Sequence, residues 1–301
     1  VTQARTVSAP QASEHEICRV CGSENVHRWR RATASDPALS SRAYYALDRC
    51  NSCRSAWIAK ADRKRERASL YTDGVYTQAT PRFDSGIEYL RRLADRDRLR
   101  FVRRLPKGSR IFEVGAGDGR LLRTLVRLGY RVSANEPAAP YADALRRRGL
   151  DVVERPIEEL ELDPASRDAV ILWHVLEHLD DPALVLRRIH GWLAPGGEVV
   201  IAVPNLASVQ ASVGGDRWFH EDVPRHRTLF TSQGLVRLVE RCGFSVAEST
   251  TLVVDQSVLG MWQTLLNRLT IERDVLFRAL KRQHARTSDI ALTVAAAPFC
   301  A

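Results

Sequence analysis

The chain has 301 residues, a formal net charge of +9 and a hydrophobic share of 45%. That length is ample for one α/β core with a small accessory module, and the apolar share excludes wholesale disorder. No run is long and apolar enough to span a bilayer, and residues 1–16 lack the apolar stretch of a secretory signal, so a cytoplasmic protein is expected.

In chain order, residues 1–15 read as a flexible tail. Residues 16–60 carry two CxxC pairs, Cys18-Arg-Val-Cys21 and Cys50-Asn-Ser-Cys53, in turn-rich sequence. Four thiolates at this spacing suit a closed tetrahedral site, hence structural Zn2+, with a redox pair or an iron–sulfur site as the competing readings. His15 and His27 are spare ligands only. Residues 61–108 form a charged helical bridge, with Leu90, Leu93, Leu99, Val102 and Leu105 on one face.

From 109 to 254 strands alternate with helices. Strands are expected at Ile111–Val114, Arg131–Asn135, Val152–Val153, Asp168–Trp173, Glu198–Val203 and Phe244–Val254. Helices are expected at Leu121–Leu128, Tyr141–Arg148, Pro182–Trp192 and Thr231–Cys242, with a turn at Pro195–Gly197. This alternation implies parallel pairing, so the fold class is α/β, a doubly wound Rossmann-like sheet. Residues 255–301 read as a helical C-terminal cap. The sequence opens on Val1 and stops inside the apolar run Ile290–Ala301, so its C-terminus reads as an interior point of a longer chain, or as a terminal helix or strand.

The segment Glu113-Val-Gly-Ala-Gly-Asp-Gly119 ends one strand and opens a helix. Gly115 and Gly117 allow a tight turn and a close backbone approach to a ligand. The third glycine falls one residue early for the dinucleotide fingerprint. The second strand ends at Glu136, where a carboxylate can accept from both hydroxyls of a ribose. Strand, glycine loop, helix, strand and acid together specify a ligand containing adenosine.

On Phe112–Gly119, Asn135-Glu136-Pro137, Trp173-His-Val-Leu-Glu-His178, Leu193-Ala-Pro-Gly-Gly197 and Trp218–His226, the sequence resembles class I S-adenosylmethionine (SAM)-dependent methyltransferases over residues 68–254. The resemblance implies that Glu113, Gly115 and Gly117 hold the methionine end and that Glu136 holds the ribose. Where the family often carries an adenine-facing acid, Pro156 stands here, leaving backbone and Ile157 to pack the adenine. Trp173 and His174 would flank the sulfonium.

Candidate bases are His226, His178 and His174. His220, Glu221, Asp222 and His226 form a polar loop cluster, where a histidine could deprotonate an acceptor near neutral pH. The loop is similar to that of sugar C-methyltransferases, which place a catalytic histidine before a Phe-Ser/Thr pair. Here His226 precedes Phe230-Thr231, although Arg225 stands where those enzymes have Glu. A cysteine-rich N-terminal module also precedes the methyltransferase domain in those relatives. Leu70–Tyr76 resembles their aromatic segment that closes over SAM.

The expected partner is a small-molecule acceptor: a sugar, polyketide, lipid-linked or quinone-like compound methylated at O or C. The alternative is a nucleic-acid methyltransferase or binding protein using the zinc module and basic surface. Against it, the basic residues are spread over many predicted helices, and the fourth strand ends in Trp173-His174.

Overall fold

The computed structural model describes residues 17–34, 44–63, 99–251, 254–270 and 273–274. The N-terminal tail, the Leu70–Tyr76 segment, most of the 61–108 bridge and the end of the C-terminal region lie outside the described residues.

Among the described residues, five parallel strands form the central sheet, in the order β6-β5-β4-β7-β8. They are β4 (Arg110–Val114), β5 (Arg131–Asn135), β6 (Asp151–Val153), β7 (Arg167–Trp173) and β8 (Leu193–Ala202). Alternation along β4 and β7 sorts their side chains onto two faces. Phe112, Val114, Val170 and Leu172 share one apolar cluster with residues of α4 (Pro182–Trp192) and α6 (Ser232–Arg241). Ile111, Ala169 and Ile171 share another with α2 (Arg120–Arg127) and with Leu99 and Val102 of the bridge. Both faces are covered, as a parallel sheet requires. Phe112 meets Trp192 edge to face at 6.3 Å, a pairing worth about 0.5–1.5 kcal/mol beyond the area it buries.

Local chemistry fixes the helix starts. Asp181 accepts from Leu184 N at 2.9 Å ahead of α4, with Pro182 in the first turn. Ser208 caps α5 (Val209–Gly214) through Ala211 N at 3.1 Å. Thr231 caps α6 through Gly234 N at 2.9 Å. Each cap satisfies a backbone donor that the helix leaves orphaned.

A second, antiparallel sheet has the order β1-β2-β3-β9. Its strands β1 (Val26–Thr33), β2 (Tyr44–Cys50) and β3 (Ala56–Ile58) come from the cysteine-bearing region, followed by the short α1 (Lys60–Arg63). The last, β9 (Thr228–Leu229), comes from the far side of the parallel sheet in sequence: Ala56 pairs with Leu229 and Trp57 with Thr228. Cys18, Val20, Cys50, Cys53 and Trp57 are buried in the same cluster as Leu172, Leu176 and Phe230. The cysteine region thus packs directly on the parallel sheet's own core.

Two local expectations are corrected. Residues 244–251 form no strand, and all but Phe244 in 244–250 are exposed; Ser245–Thr250 alternates into polar residues with no second buried face. The turn at Pro195–Gly197 interrupts β8 rather than preceding it. Arg167 pairs with Leu193 and Ala169 with Glu198, so the glycine turn is absorbed as a register shift, with Gly196 at φ +77°. The C-terminal region begins with α7 (Val254–Leu269), which packs on α5 and on the Phe219–Glu221 turn.

Candidate active site

Val114, Asn135, Val153 and Trp173 end their parallel strands at one edge of the sheet. The chain leaves β4 for β5 on one side, while β7 lies on the other. Ligands of open α/β sheets bind outside such a reversal of strand order. The glycine loop occupies this position. Gly115, Gly117 and Gly119 have φ of +68°, +53° and +69°. A Cβ on Gly119 would lie 2.2 Å from Leu145 Cδ2, and one on Gly115 2.9 Å from Val175 Cγ2. A Cβ on Gly117 would meet nothing within 4 Å, so this glycine faces open space.

Glu136 closes the loop. Its Oε2 accepts from Gly117 N at 2.7 Å and its Oε1 from Ala138 N at 2.9 Å. Burial pushes its carboxyl up, against the two backbone donors that pull it down. Each oxygen keeps lone-pair capacity for a further hydroxyl donor. Asn135 supports the loop from beneath: its Oδ1 accepts from Gly115 N at 3.3 Å and its Nδ2 donates to Arg155 O at 2.9 Å. Glu113 is buried within β4, and Ile157 is buried in the main core cluster.

Past β7 the chain turns sharply, with His174 at φ +55°. His174 Nδ1 lies 3.1 Å from Glu177 Oε1, and His226 Nε2 lies 4.0 Å from the same oxygen. His178 and His226 rings meet edge to face at 4.8 Å. His174 stacks parallel to His220 at 6.4 Å. The structure therefore brings together all three histidines predicted from sequence, around one buried carboxylate. Burial alone would raise Glu177; the His174 hydrogen bond and the neighbouring imidazole charges outweigh it and hold the group at about 2. Burial lowers His178 to about 4 and His220 to about 3.

Backbone carbonyls fix two of the ring tautomers. His178 Nδ1 donates to Arg225 O at 3.0 Å, and His226 Nδ1 donates to His220 O at 2.8 Å. A carbonyl only accepts, so each Nδ1 carries a hydrogen and Nε2 is the ring atom each histidine turns to the cluster. Glu177, His178 and His226 place ligating atoms within 4.8 Å of one another, a set able to hold a proton or a cation.

The two acids of the 220–226 loop are used within the fold. Glu221 is buried and pairs with Arg30 of β1; Asp222 pairs with Arg225 at 2.6 Å. Sequence reading missed Arg30, because nothing local links β1 to this loop. It also missed Gly260 of α7, where a Cβ would lie 2.7 Å from His220 Nε2. A glycine inside a helix was the available signal.

The four cysteines form a second cluster. Cys18 and Cys53 Sγ are 3.7 Å apart, Cys21 and Cys50 Sγ are 3.6 Å apart, and all four lie within 4.8 Å of one another. A disulfide needs about 2.05 Å. A tetrahedron with metal–sulfur bonds of about 2.3 Å has edges of about 3.8 Å. Cys21 N, Ser52 N and Cys53 N point at cysteine sulfurs at 3.3–3.5 Å, an environment suited to thiolates.

A family model described as a methyltransferase domain matches residues 87–249, more than half of the chain. The chain belongs to this family. These class I SAM-dependent enzymes methylate small molecules, and the five parallel strands are their Rossmann-like core. Among curated relatives, the ubiquinone biosynthesis O-methyltransferase of Methylocella silvestris is 32% identical over 196 residues, covering 59% of this chain and 76% of that one. The enzyme of the same name from Xanthomonas axonopodis pv. citri is 33% identical, covering 36% of this chain and 49% of its own. The methyltransferase thus spans about half of the Xanthomonas relative. Among solved structures, the 1,6-didemethyltoxoflavin-N1-methyltransferase of Burkholderia thailandensis is 22% identical. It covers 57% of this chain and 78% of its own, with a TM-score of 0.42. No described helix is long and apolar enough to cross a membrane.

Proposed function

We propose that this methyltransferase deprotonates a hydroxyl of a small-molecule acceptor with a histidine and methylates the oxygen. The observation carrying this reading is the Glu177–His174 pair at the carboxyl end of β7. It stands one residue from Val175, whose side chain packs on Gly115 of the glycine loop. Glu136 holds the ribose, and the glycine loop with Glu113 holds the methionine end. SAM supplies an activated methyl group on a sulfonium. With Glu177 ionised, His174 Nδ1–H donates to it and Nε2 is left to take the acceptor proton. The acceptor oxygen then forms its bond to the methyl carbon as the carbon–sulfur bond breaks. The released thioether is neutral, and the proton rests on the imidazole, balanced by Glu177. His226 and His178, oriented by carbonyls, complete the polar wall.

The curated relatives are named as O-methyltransferases of ubiquinone biosynthesis, which favours a phenolic hydroxyl. The His226 loop favours a sugar as the second reading. Methyl transfer from labelled SAM to a panel of phenols, catechols, nucleotide sugars and bulk RNA tests both. Transfer only to nucleotide sugars selects the second reading, and transfer only to RNA overturns both.

The four cysteines hold one structural zinc in a ribbon-like module, and α7 caps the acceptor side. The tetrahedral sulfur spacing supports the first assignment, and the packing of α7 on Phe219–Glu221 supports the second. Metal analysis is expected to give one zinc per chain; iron, or no metal, contradicts this.

A further inference from the structure

The strand that follows His226 is pinned residue by residue to the cysteine region. Arg227 O accepts from Ile58 N at 3.1 Å. Thr228 and Leu229 pair with Trp57 and Ala56. Thr231 N donates to Ser55 Oγ at 3.1 Å, and Thr231 Oγ1 donates to Cys53 O at 2.6 Å. Ser55 O in turn accepts from Cys50 N at 3.0 Å, tying the same residue to the second CxxC pair. Both hydroxyls are buried, and a Cβ on Gly234 would lie 2.1 Å from Ser55 Oγ, so a glycine is required there. On its other side the same strand holds the base cluster. Arg227 N donates to Glu177 O at 2.7 Å, and Arg227 Nε lies 3.5 Å from Asp180 Oδ1. Arg19, inside the first CxxC pair, donates to Asp180 O.

We propose that Ser55 and Thr231 are positioning residues that couple the four-cysteine metal site to His226 and Glu177. The proposal rests on the zinc reading above. Hydrogen bonds just outside a metal's ligands orient those ligands and are strengthened when the metal locks them. Here they run from Cys50 and Cys53 through Ser55 and Thr231 into β9 and end at the histidine cluster. The SAM half of the site has a separate support: Glu136, Asn135 and the glycine loop bond to one another and to the β5 and β6 ends. Metal loss should therefore loosen the acceptor half and leave the SAM half formed.

The test uses the full chain, as purified and after zinc is removed by chelation, together with Ser55→Ala, Thr231→Val and Thr231→Ser. Three quantities are read: zinc content, S-adenosylhomocysteine affinity, and hydrogen exchange of residues 226–231 and 174–179 against β4 and β5. Chelation should speed exchange in 226–231 and 174–179 by about tenfold or more, with exchange in β4 and β5 and the affinity changing less than about twofold. Ser55→Ala should weaken zinc binding by about 10–100-fold. Thr231→Val should keep zinc yet show the fast exchange, and Thr231→Ser should restore slow exchange. Zinc that leaves without changing 226–231, or that loosens β4 and β5 equally, overturns the coupling while keeping the zinc assignment. A chain that never binds zinc overturns the zinc assignment itself.

Discussion

Replacing Glu136 by alanine probes the cofactor half of the site most sharply. In the free protein the carboxylate accepts from Gly117 N at 2.7 Å and Ala138 N at 2.9 Å, and it is buried. Two further hydrogen bonds, from the ribose hydroxyls, would each be charge-assisted and worth about 1.5–3 kcal/mol. Losing both costs about 3–6 kcal/mol of binding, which is a weakening of at least about a hundredfold at 1.4 kcal/mol per tenfold. The variant also strands two backbone donors in the loop, at about 1–3 kcal/mol each unless water replaces the carboxylate. Some of the affinity loss therefore comes from loop disorder. Glu136→Gln separates the contributions, since the amide keeps one acceptor but turns an N–H toward the other backbone donor. Its affinity should sit close to that of the alanine variant. Titration calorimetry with S-adenosylhomocysteine, beside denaturant unfolding of the apo proteins, reads both effects. An affinity within about threefold of wild type for Glu136→Ala would refute the ribose assignment and the magnitude drawn from it.

Gly117→Ala and Gly119→Ala should behave in opposite ways. At Gly119 the left-handed backbone and the clash with buried Leu145 should destabilise by about 2–5 kcal/mol. At Gly117 only the backbone cost of about 1–2 kcal/mol applies, but the methyl enters ligand space, so affinity should fall by about tenfold or more. Equal melting temperatures for the two variants would contradict this. His174→Gln should keep S-adenosylhomocysteine affinity and lower kcat with little change in KM; full turnover on an acceptor found in the panel would remove His174 as the base. Folding stability should fall as pH drops from 6.5. The unfolded histidines take up protons there, while His178 and His220 stay neutral to about 4 and about 3. His178 alone accounts for up to about 3 kcal/mol at 1.36 kcal/mol per unit. Glu177, held at about 2, adds a further loss below 4.5. Urea unfolding that is flat between pH 7 and 4.5 would refute the buried neutral state.

The parallel sheet was legible because its strands are short apolar runs ending in glycines or acids. Ile111–Val114 and Arg131–Asn135 needed no tertiary knowledge. The Cys pairs were legible from spacing. The expected strand at Phe244–Val254 failed because alternating Ser, Thr and Glu residues resemble a half-buried strand only if a neighbouring face exists. The three histidines and Glu177 were visible singly, but their convergence was not, since His226 reaches Glu177 only through the return of β9. Arg30, Ser55 and Gly260 act on this region from elements remote in sequence, and no periodicity encodes such contacts.

The late arrival of β9 has a consequence for synthesis. A chain emerging in order makes β1, β2 and β3 early, yet β3 keeps an open edge beside the fully buried Trp57 until Thr228 and Leu229 appear. Exposed edges of this kind invite pairing with other chains. Contacts closed over such a separation also form slowly. The whole parallel sheet must be translated before the first cysteine loops are sealed, so the cysteine region should not be obtainable alone in a well-behaved state.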